Sequence, residues 1–489
     1  MLFNSIDFIV FFTIVIFAVY LIRAKKYQHV LLLVVSYFFF YYSSNYLILL
    51  LIFSTVLDYI IGGKIANTIN VSRKKVLLII SLAGNLGLLG FFKYMDFAIL
   101  QFNILGNSFD LAQEIPLLNI ALPVGISFYT FQTISYTVDI YRGKLKPSDS
   151  FLEFALFVSF FPQLVAGPIV RASVFLPQLR EKIDNLNFKN NLKQIVIHNS
   201  NLKIGITLMA LGFFKKMFFA DNIAPLVNAI FTNPIGSDSF TIILGAIAFG
   251  IQIYGDFSGY SDIAIGAALI LGFKLPINFN KPYFATSPSD FWRRWHISLS
   301  SWLRDYLYIP LGGNKKSKSR TYLNLATVML LGGLWHGAGW NFVVWGLLHG
   351  SYLAIHKLIL DEFPQLKNNY FFSTKIGKIC SIFVTQYFIF LAWIAFRVKD
   401  FDQMSYAIQK YVLIDFQTSG IIEIVGQYKL SSFLIVLFLI LHFIAYKKGN
   451  MVSTLSNLKI RYWIVFLTII MLLVLFLYSA PQEFIYFQF

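Results

Sequence analysis

The chain has 489 residues, 57% hydrophobic and only 13% charged, with a formal net charge of +17. Soluble domains carry roughly 25% charged residues, so this composition excludes a string of soluble domains and defines a polytopic membrane protein. The basic residues sit in short loops between apolar runs, which marks topology rather than a nucleic-acid footprint.

A spanning helix needs about 20 mostly apolar residues. Such runs fall at 5–22, 28–42, 46–62, 76–92, 117–140, 203–220, 239–272, 321–335, 340–358, 378–396, 430–446 and 461–479. The fold class is therefore all-α: a single transmembrane domain over 1–489 with about 11–12 transmembrane helices plus re-entrant and amphipathic helices. No charged segment precedes the apolar run Phe8 to Ile22 and no small-residue cleavage site follows it, so it reads as a retained first span. Asn85, Gly84 and Gly87 interrupt the fourth run at positions suited to helix packing. The stretch from Phe160 to Arg171 holds two prolines and a glycine in apolar sequence, a poor spanning helix and a good re-entrant one. The segment 180–202, with Leu186, Phe188, Leu192, Ile195 and Val196, reads as an amphipathic cytoplasmic helix.

The run 239–272 is too long for one straight helix, and its centre, Tyr254 to Asp262, is polar and glycine-rich. Asp256, Ser258, Tyr260, Ser261 and Asp262 there either line a polar passage or kink the helix. Basic clusters at Arg23–Lys26, Arg73–Lys75, Arg142–Lys146, Arg171–Lys182, Arg293–Arg294 with Lys315–Arg320, and Lys447–Lys448 fall on one side if the spans alternate. That side is expected to be cytoplasmic, with both termini outside. Lys93, Lys215 and Lys216 depart from the pattern and are expected to snorkel to an interface. The segment 399–429 reads as extracytoplasmic and able to dock a partner. Cys380 is the single cysteine, which excludes an intramolecular disulfide, and reads as a small core residue.

Two histidines forty residues apart stand out, because ionisable side chains at membrane depth are costly and mark function. His296 ends Phe291-Trp-Arg-Arg-Trp-His. Ser287 to Asp290 can cap a helix there, and Trp292, Trp295, Leu299, Trp302, Leu303 and Tyr306 follow helical spacing. The stretch is either an interfacial amphipathic helix or a basic shelf for a phosphate-bearing donor, with Arg293, Arg294, Arg304 and Trp295 as its donor-binding residues. His336 lies in Gly332-Gly-Leu-Trp-His-Gly-Ala-Gly-Trp-Asn341. Glycines there permit close backbone approach, and burial would keep the imidazole neutral and able to accept a proton, as a general base must. A hydrogen-bonded histidine in a packed helix junction is the alternative. Trp335 and Asn341 would line the same space. His349 and His356 share a helix face but lack a carboxylate or cysteine at ligand spacing, so no metal site is expected. His29, His198 and His442 read as interfacial. There is no nucleophile elbow, P-loop or dinucleotide fingerprint.

Four stretches carry a resemblance: Phe161-Pro-Gln-Leu-Val-Ala-Gly-Pro-Ile, Gly259-Tyr-Ser-Asp-Ile-Ala-Ile-Gly, Pro288 to Gly313, and Gly332 to Trp345. The chain resembles the membrane-bound O-acyltransferases, in particular the bacterial alginate O-acetyltransferase branch. The resemblance implies a helical membrane fold around a central tunnel, with His336 at the family's essential histidine and His296 at its second polar position. It implies transfer of an acyl group from a cytoplasmic thioester, acetyl-CoA as donor substrate with no bound cofactor, across a bacterial inner membrane. The acceptor would be an extracytoplasmic polysaccharide such as alginate, reached through separate extracytoplasmic acetyltransferase partners, with membrane lipids around the chain and no nucleic acid. The teichoic acid D-alanylation branch looks similar at Arg293-Arg-Trp-His and implies a carrier-protein thioester instead; Leu311-Gly-Gly-Asn-Lys-Lys favours the acetyltransferase branch. A transporter of an acylated lipid or glycan, or a scaffold for outer-surface enzymes, are the readings from other classes, and no transporter-type repeat is visible.

Overall fold

The computed structural model describes residues 1, 3–109, 114–164, 167–180, 192–477 and 482–485. Among them there is no strand beyond one isolated bridge between Arg180 and Leu192. They form two compact units, Met1–Ile206 with Ala264–Pro276, and Thr207–Ile263 with Ile277–Phe489.

The first unit opens with α1 (Ile6–Leu21), α2 (Lys25–Ser44), α3 (Ile48–Asn67), α4 (Val71–Asn107), α5 (Ile126–Tyr141) and α6 (Phe151–Ser159). Their starts are set by side chains that accept from orphan backbone amides: Ser5 from Phe8, Asn70 from Arg73, Ser150 from Glu153. Helices α3, α4 and α5 pack on one another. A polar seam joins them. Ser81 and Thr137 donate to Asp58 Oδ1, Asn85 donates to Oδ2, and Thr133 donates to Asn85. A carboxyl group at this depth persists because Ser81, Thr137 and Asn85 all donate to it. Arg180 closes on Glu153 in a second buried pair.

Four expectations change in this unit. The fourth run does not stop at 92 but continues to Asn107 as one 37-residue helix. The fifth begins only at Ile126, because Gly125 at φ +76° ends an irregular lead-in. Residues Leu186 and Phe188 of the expected amphipathic helix lie outside the described residues, as do Val165, Ala166 and Lys182. Leu192, Ile195 and Val196 are not helical: Gln28 both donates to Ile195 O and accepts from Ile195 N, so α2 takes up that backbone directly. Helix α7 (Asn199–Phe213) starts only beyond it. His29, expected at an interface, is fully buried with Nε2 3.0 Å from Lys193 O. Phe160 to Leu164 is buried, and Phe161–Leu164 forms a single helical turn.

The second unit carries α8 (Asp221–Phe231), α9 (Ser239–Ile270, through Ile263), α10 (Pro288–Trp292), α11 (Ile297–Leu303), α12 (Lys318–His336), α13 (Trp340–Glu362), α14 (Lys375–Arg397), α15 (Phe401–Val412), α16 (Ser419–Gln427), α17 (Lys429–Lys448) and α18 (Ile460–Phe476). The run 239–272, expected to break, is one 32-residue helix. Its polar centre is paid for in charge. Lys216 Nζ lies 2.8 Å from Asp221 and 2.7 Å from Asp256, all three almost fully buried, and Lys215 pairs with Asp262. These lysines therefore do not snorkel. Gly259 lets α9 touch the end of α7, since a Cβ there would sit 2.7 Å from Gly212 O.

Helices α12 and α13 make a tight antiparallel hairpin. A Cβ on Gly333 would meet Phe342 O at 2.3 Å, and one on Gly346 would meet Met329 O at 2.6 Å. Cys380, expected in the core, is exposed on α14 beside exposed Ile376, Ile379 and Phe383; an outward apolar face needs no protein cover in lipid. His442, expected at an interface, is buried against Phe438, Tyr254 and Phe284. Among the described residues, six helical stretches are long and apolar enough to cross a membrane: Lys25–Asn67, Val71–Asn107, Ser239–Ile270, Trp340–Glu362, Lys375–Arg397 and Lys429–Lys448.

Candidate active site

The stretch around His296 is not one amphipathic helix. Ser287 caps α10 and Pro288 opens it, but the helix ends at Trp292. His296 then takes φ +42°, ψ +55°, a left-handed conformation that costs a β-carbon-bearing residue. Asn278 holds the turn. Its carbonyl accepts from Ile297 N at 2.9 Å, and Asn280 N donates to Arg294 O at 2.9 Å. Its side-chain Oδ1 accepts from Ser298 N at 3.2 Å and Ser298 Oγ at 2.9 Å, and lies 3.2 Å from His296 Nδ1. Asn278 Nδ2 donates to Ser261 Oγ at 3.2 Å. That pattern assigns the amide orientation, so Nδ1 of His296 is the protonated nitrogen and a neutral ring has its lone pair on Nε2. Phe257 packs edge-on to the imidazole at 4.6 Å.

His336 is the last residue of α12 and is buried. Trp335 and Trp345 stand 4.9 Å from its ring and Phe396 5.3 Å, all near edge-on. Trp335 also faces His296 at 6.1 Å, so one indole touches both histidines. Asn341 donates to Phe396 O at 3.3 Å and so ties the hairpin to the end of α14. From His336 a row of rings continues along α13: Trp345 to His349 at 4.7 Å, then His349 to Tyr352 at 5.9 Å, with Trp292 5.1 Å from His349. The indole nitrogens of Trp292 and Trp345, both ring nitrogens of His349 and the Tyr352 hydroxyl are buried without a hydrogen-bond partner among the described residues. Buried polar groups left so cost free energy unless a ligand or water meets them.

The structure thus brings together His296, Trp335 and His336. Arg293 and Arg294 lie on the same broken turn. Arg293 is exposed with no carboxylate within salt-bridge distance among the described residues, whereas Arg294 pairs with Asp290 at 2.9 Å and Arg304 with Asp305 at 2.7 Å. Trp295 does not join the arginines; it is buried among Phe279, Phe291 and Trp393. Asp256 and Asp262 are committed to lysines, Tyr260 stacks on Phe484 at 4.1 Å, and Ser258 is buried on the same helix. That helix reaches the site through Phe257 and Ser261 instead. Asn278, Phe257, Trp345 and Phe396 are the members that sequence reading missed; only Trp345, at the edge of the glycine-rich motif, carried a signal.

A profile of MBOAT, the membrane-bound O-acyltransferase family, matches residues 147–398, which include both histidines. The chain is similar to a peptidoglycan O-acetyltransferase of Helicobacter pylori, 40% identical over 374 residues, covering 71% of this chain and 67% of the relative. It is similar to a probable alginate O-acetylase AlgI of Pseudomonas aeruginosa, 37% identical over 404 residues, covering 82% and 72%. A teichoic acid D-alanyltransferase of Streptococcus thermophilus is 31% identical over a shorter 244 residues, covering 48% and 56%. The chain belongs to the membrane-bound O-acyltransferase family. It is an O-acyltransferase embedded in a membrane.

Proposed function

We propose that the protein takes an acetyl group from a cytoplasmic thioester, acetyl-CoA, and delivers it through the bacterial inner membrane for O-acetylation of an extracytoplasmic polysaccharide, with a separate outer acetyltransferase as partner. The observation that carries this is His336, buried at the tip of the glycine-packed hairpin and walled by Trp335, Trp345 and Phe396. The relatives named for peptidoglycan and alginate O-acetylation, and the long reach of those matches, support acetyl over D-alanyl transfer.

In this reading Arg293 holds donor phosphate at the basic end of the site. The thioester carbonyl meets the Trp345 indole N–H, a buried donor that has no other partner among the described residues. His296 does not donate to that carbonyl, because its proton is on Nδ1, toward Asn278. His336 removes the proton of the acceptor hydroxyl as its oxygen attacks the carbonyl carbon. The tetrahedral centre then collapses, the C–S bond breaks, and the leaving thiolate takes from His336 the proton that it had removed. His296, through the lone pair on Nε2, accepts from a neighbouring hydroxyl of the acceptor and so orients it.

Donor identity tests the reading. Purified protein in nanodiscs, with an outer acceptor present, is given acetyl-CoA or an acetylated carrier protein. Release of free coenzyme A, with Arg293→Gln raising the KM for acetyl-CoA about 5- to 10-fold at little change in kcat, is expected for loss of one charge-assisted contact. Turnover with the carrier thioester alone would move the donor to that class.

A further inference from the structure

We propose that the cleft between the end of α3 and the start of α4 is a binding site for the headgroup of an anionic phospholipid. It lies wholly in the first unit, far in sequence from both histidines, and is independent of the acyl-transfer reading. The cleft has a volume of about 820 Å³. Lys64, in the last turn of α3, and Arg73, in the first turn of α4, both line it. Neither has a carboxylate within salt-bridge distance among the described residues. Asn67, Thr68, Ser72 and Ser148 add hydroxyls and an amide around them.

The other wall is apolar. Ile60, Val76 and Leu77 line the cleft, and Ile60 and Val76 are about half exposed, at 47% and 56%. Both sit one to two turns inside helices apolar enough to span, so they face acyl chains while Lys64 and Arg73 lie at the helix ends. That order, basic at the surface and apolar toward the core, matches a phosphodiester above its acyl chains. The Tyr59 hydroxyl donates to Asp149 O and fixes the floor. Two cations against the Asp149 carboxylate leave one net positive charge, which fits a singly charged phosphodiester. Asp149 can accept from a glycerol hydroxyl, so phosphatidylglycerol is the chemistry that fits.

The full chain, delipidated in neutral detergent, is titrated with phosphatidylglycerol, phosphatidylethanolamine, phosphatidylcholine or sn-glycerol 3-phosphate. Binding is read by native mass spectrometry and by the shift in Tm. Saturable binding of phosphatidylglycerol is expected, with Lys64→Gln and Arg73→Gln each weakening it about 5-fold and the pair about 25-fold. Unliganded Tm of the variants should equal wild type, because both side chains are exposed and make no ion pair among the described residues. Equal binding of either zwitterionic lipid would overturn the anionic assignment. Equal binding of glycerol phosphate would make this a soluble phosphoester site and overturn the lipid. Undiminished phosphatidylglycerol binding by the folded double variant would place the lipid elsewhere.

Discussion

Lys216→Met should be among the most damaging single substitutions outside the histidines, and far worse than Asp256→Asn beside it. Lys216 is 1% exposed and sits between Asp221 at 2.8 Å and Asp256 at 2.7 Å. Its ammonium also donates to Gln482 O at 3.1 Å. The cluster as built holds one cation against two carboxylates. Removing the lysine leaves two buried acids facing each other, and breaking a buried pair this way costs about 3–5 kcal/mol. Asp256→Asn instead leaves a one-to-one pair; its single amide oxygen keeps either Lys216, now on Asp256 Oδ1, or Ile485 N, now 2.7 Å from Oδ2, and loses the other. Its cost should be about 1–2 kcal/mol. At roughly 2 °C per kcal/mol for a unit this large, Tm falls by about 6–10 °C for Lys216→Met and about 2–4 °C for Asp256→Asn. Thermal unfolding of the purified protein, followed by tryptophan fluorescence and by size-exclusion recovery after heating, reads the difference. Transfer activity should fall with Lys216→Met as well, because Asp256 precedes Phe257, which packs on His296. If Lys216→Met keeps the wild-type Tm, or Asp256→Asn loses more, the ion cluster does not hold these helices together.

Asn278→Ala should lower kcat by 10-fold or more at little change in KM, since it frees the His296 tautomer and the Ser298 amide from one shared oxygen; an unchanged kcat in a folded variant would show that the tautomer is irrelevant. Gly346→Ala should cost about 1–3 kcal/mol, because its Cβ would meet Met329 O at 2.6 Å, while Gly87→Ala, with nothing within 4 Å, should be neutral or slightly stabilising; equal Tm values would refute the hairpin contact. Lys410 holds the Asp415 carboxyl down at about 2, with amides of Gln417 and Ser239 helping. A depressed carboxylate stabilises above its unfolded value near 3.9 and loses that contribution as pH falls toward 2. Asp415→Asn should therefore flatten the fall in Tm between about pH 4 and pH 2, and an identical acid profile would contradict this.

The helices were legible because apolar runs of spanning length leave the backbone one solution in lipid. All-α class, the hairpin carrying His336 and the two histidines as a pair with tryptophan between them follow from local sequence. What sequence reading missed depends on partners distant in the chain. Tyr254 to Asp262 looked like a break because its carboxylates showed no counter-ion nearby; Lys215 and Lys216, some forty residues upstream, supply it. The helical spacing from Trp292 to Tyr306 was real as burial, since all six residues are buried, but the backbone breaks at His296 because Asn278 claims its amides. Cys380 and the surface leucines and phenylalanines invert the usual inside–outside rule, which periodicity alone cannot resolve when both faces are apolar.

The central claim is that His336 is the base of the transfer. The direct measurement is the movement of radiolabelled acetyl from acetyl-CoA to an extracytoplasmic acceptor in nanodiscs, wild type beside His336→Ala, with the Tm of both recorded. Loss of a general base costs about 10²–10⁴ in rate. The account predicts a folded variant with transfer reduced on that scale; a folded His336→Ala protein that transfers label at the wild-type rate would contradict it.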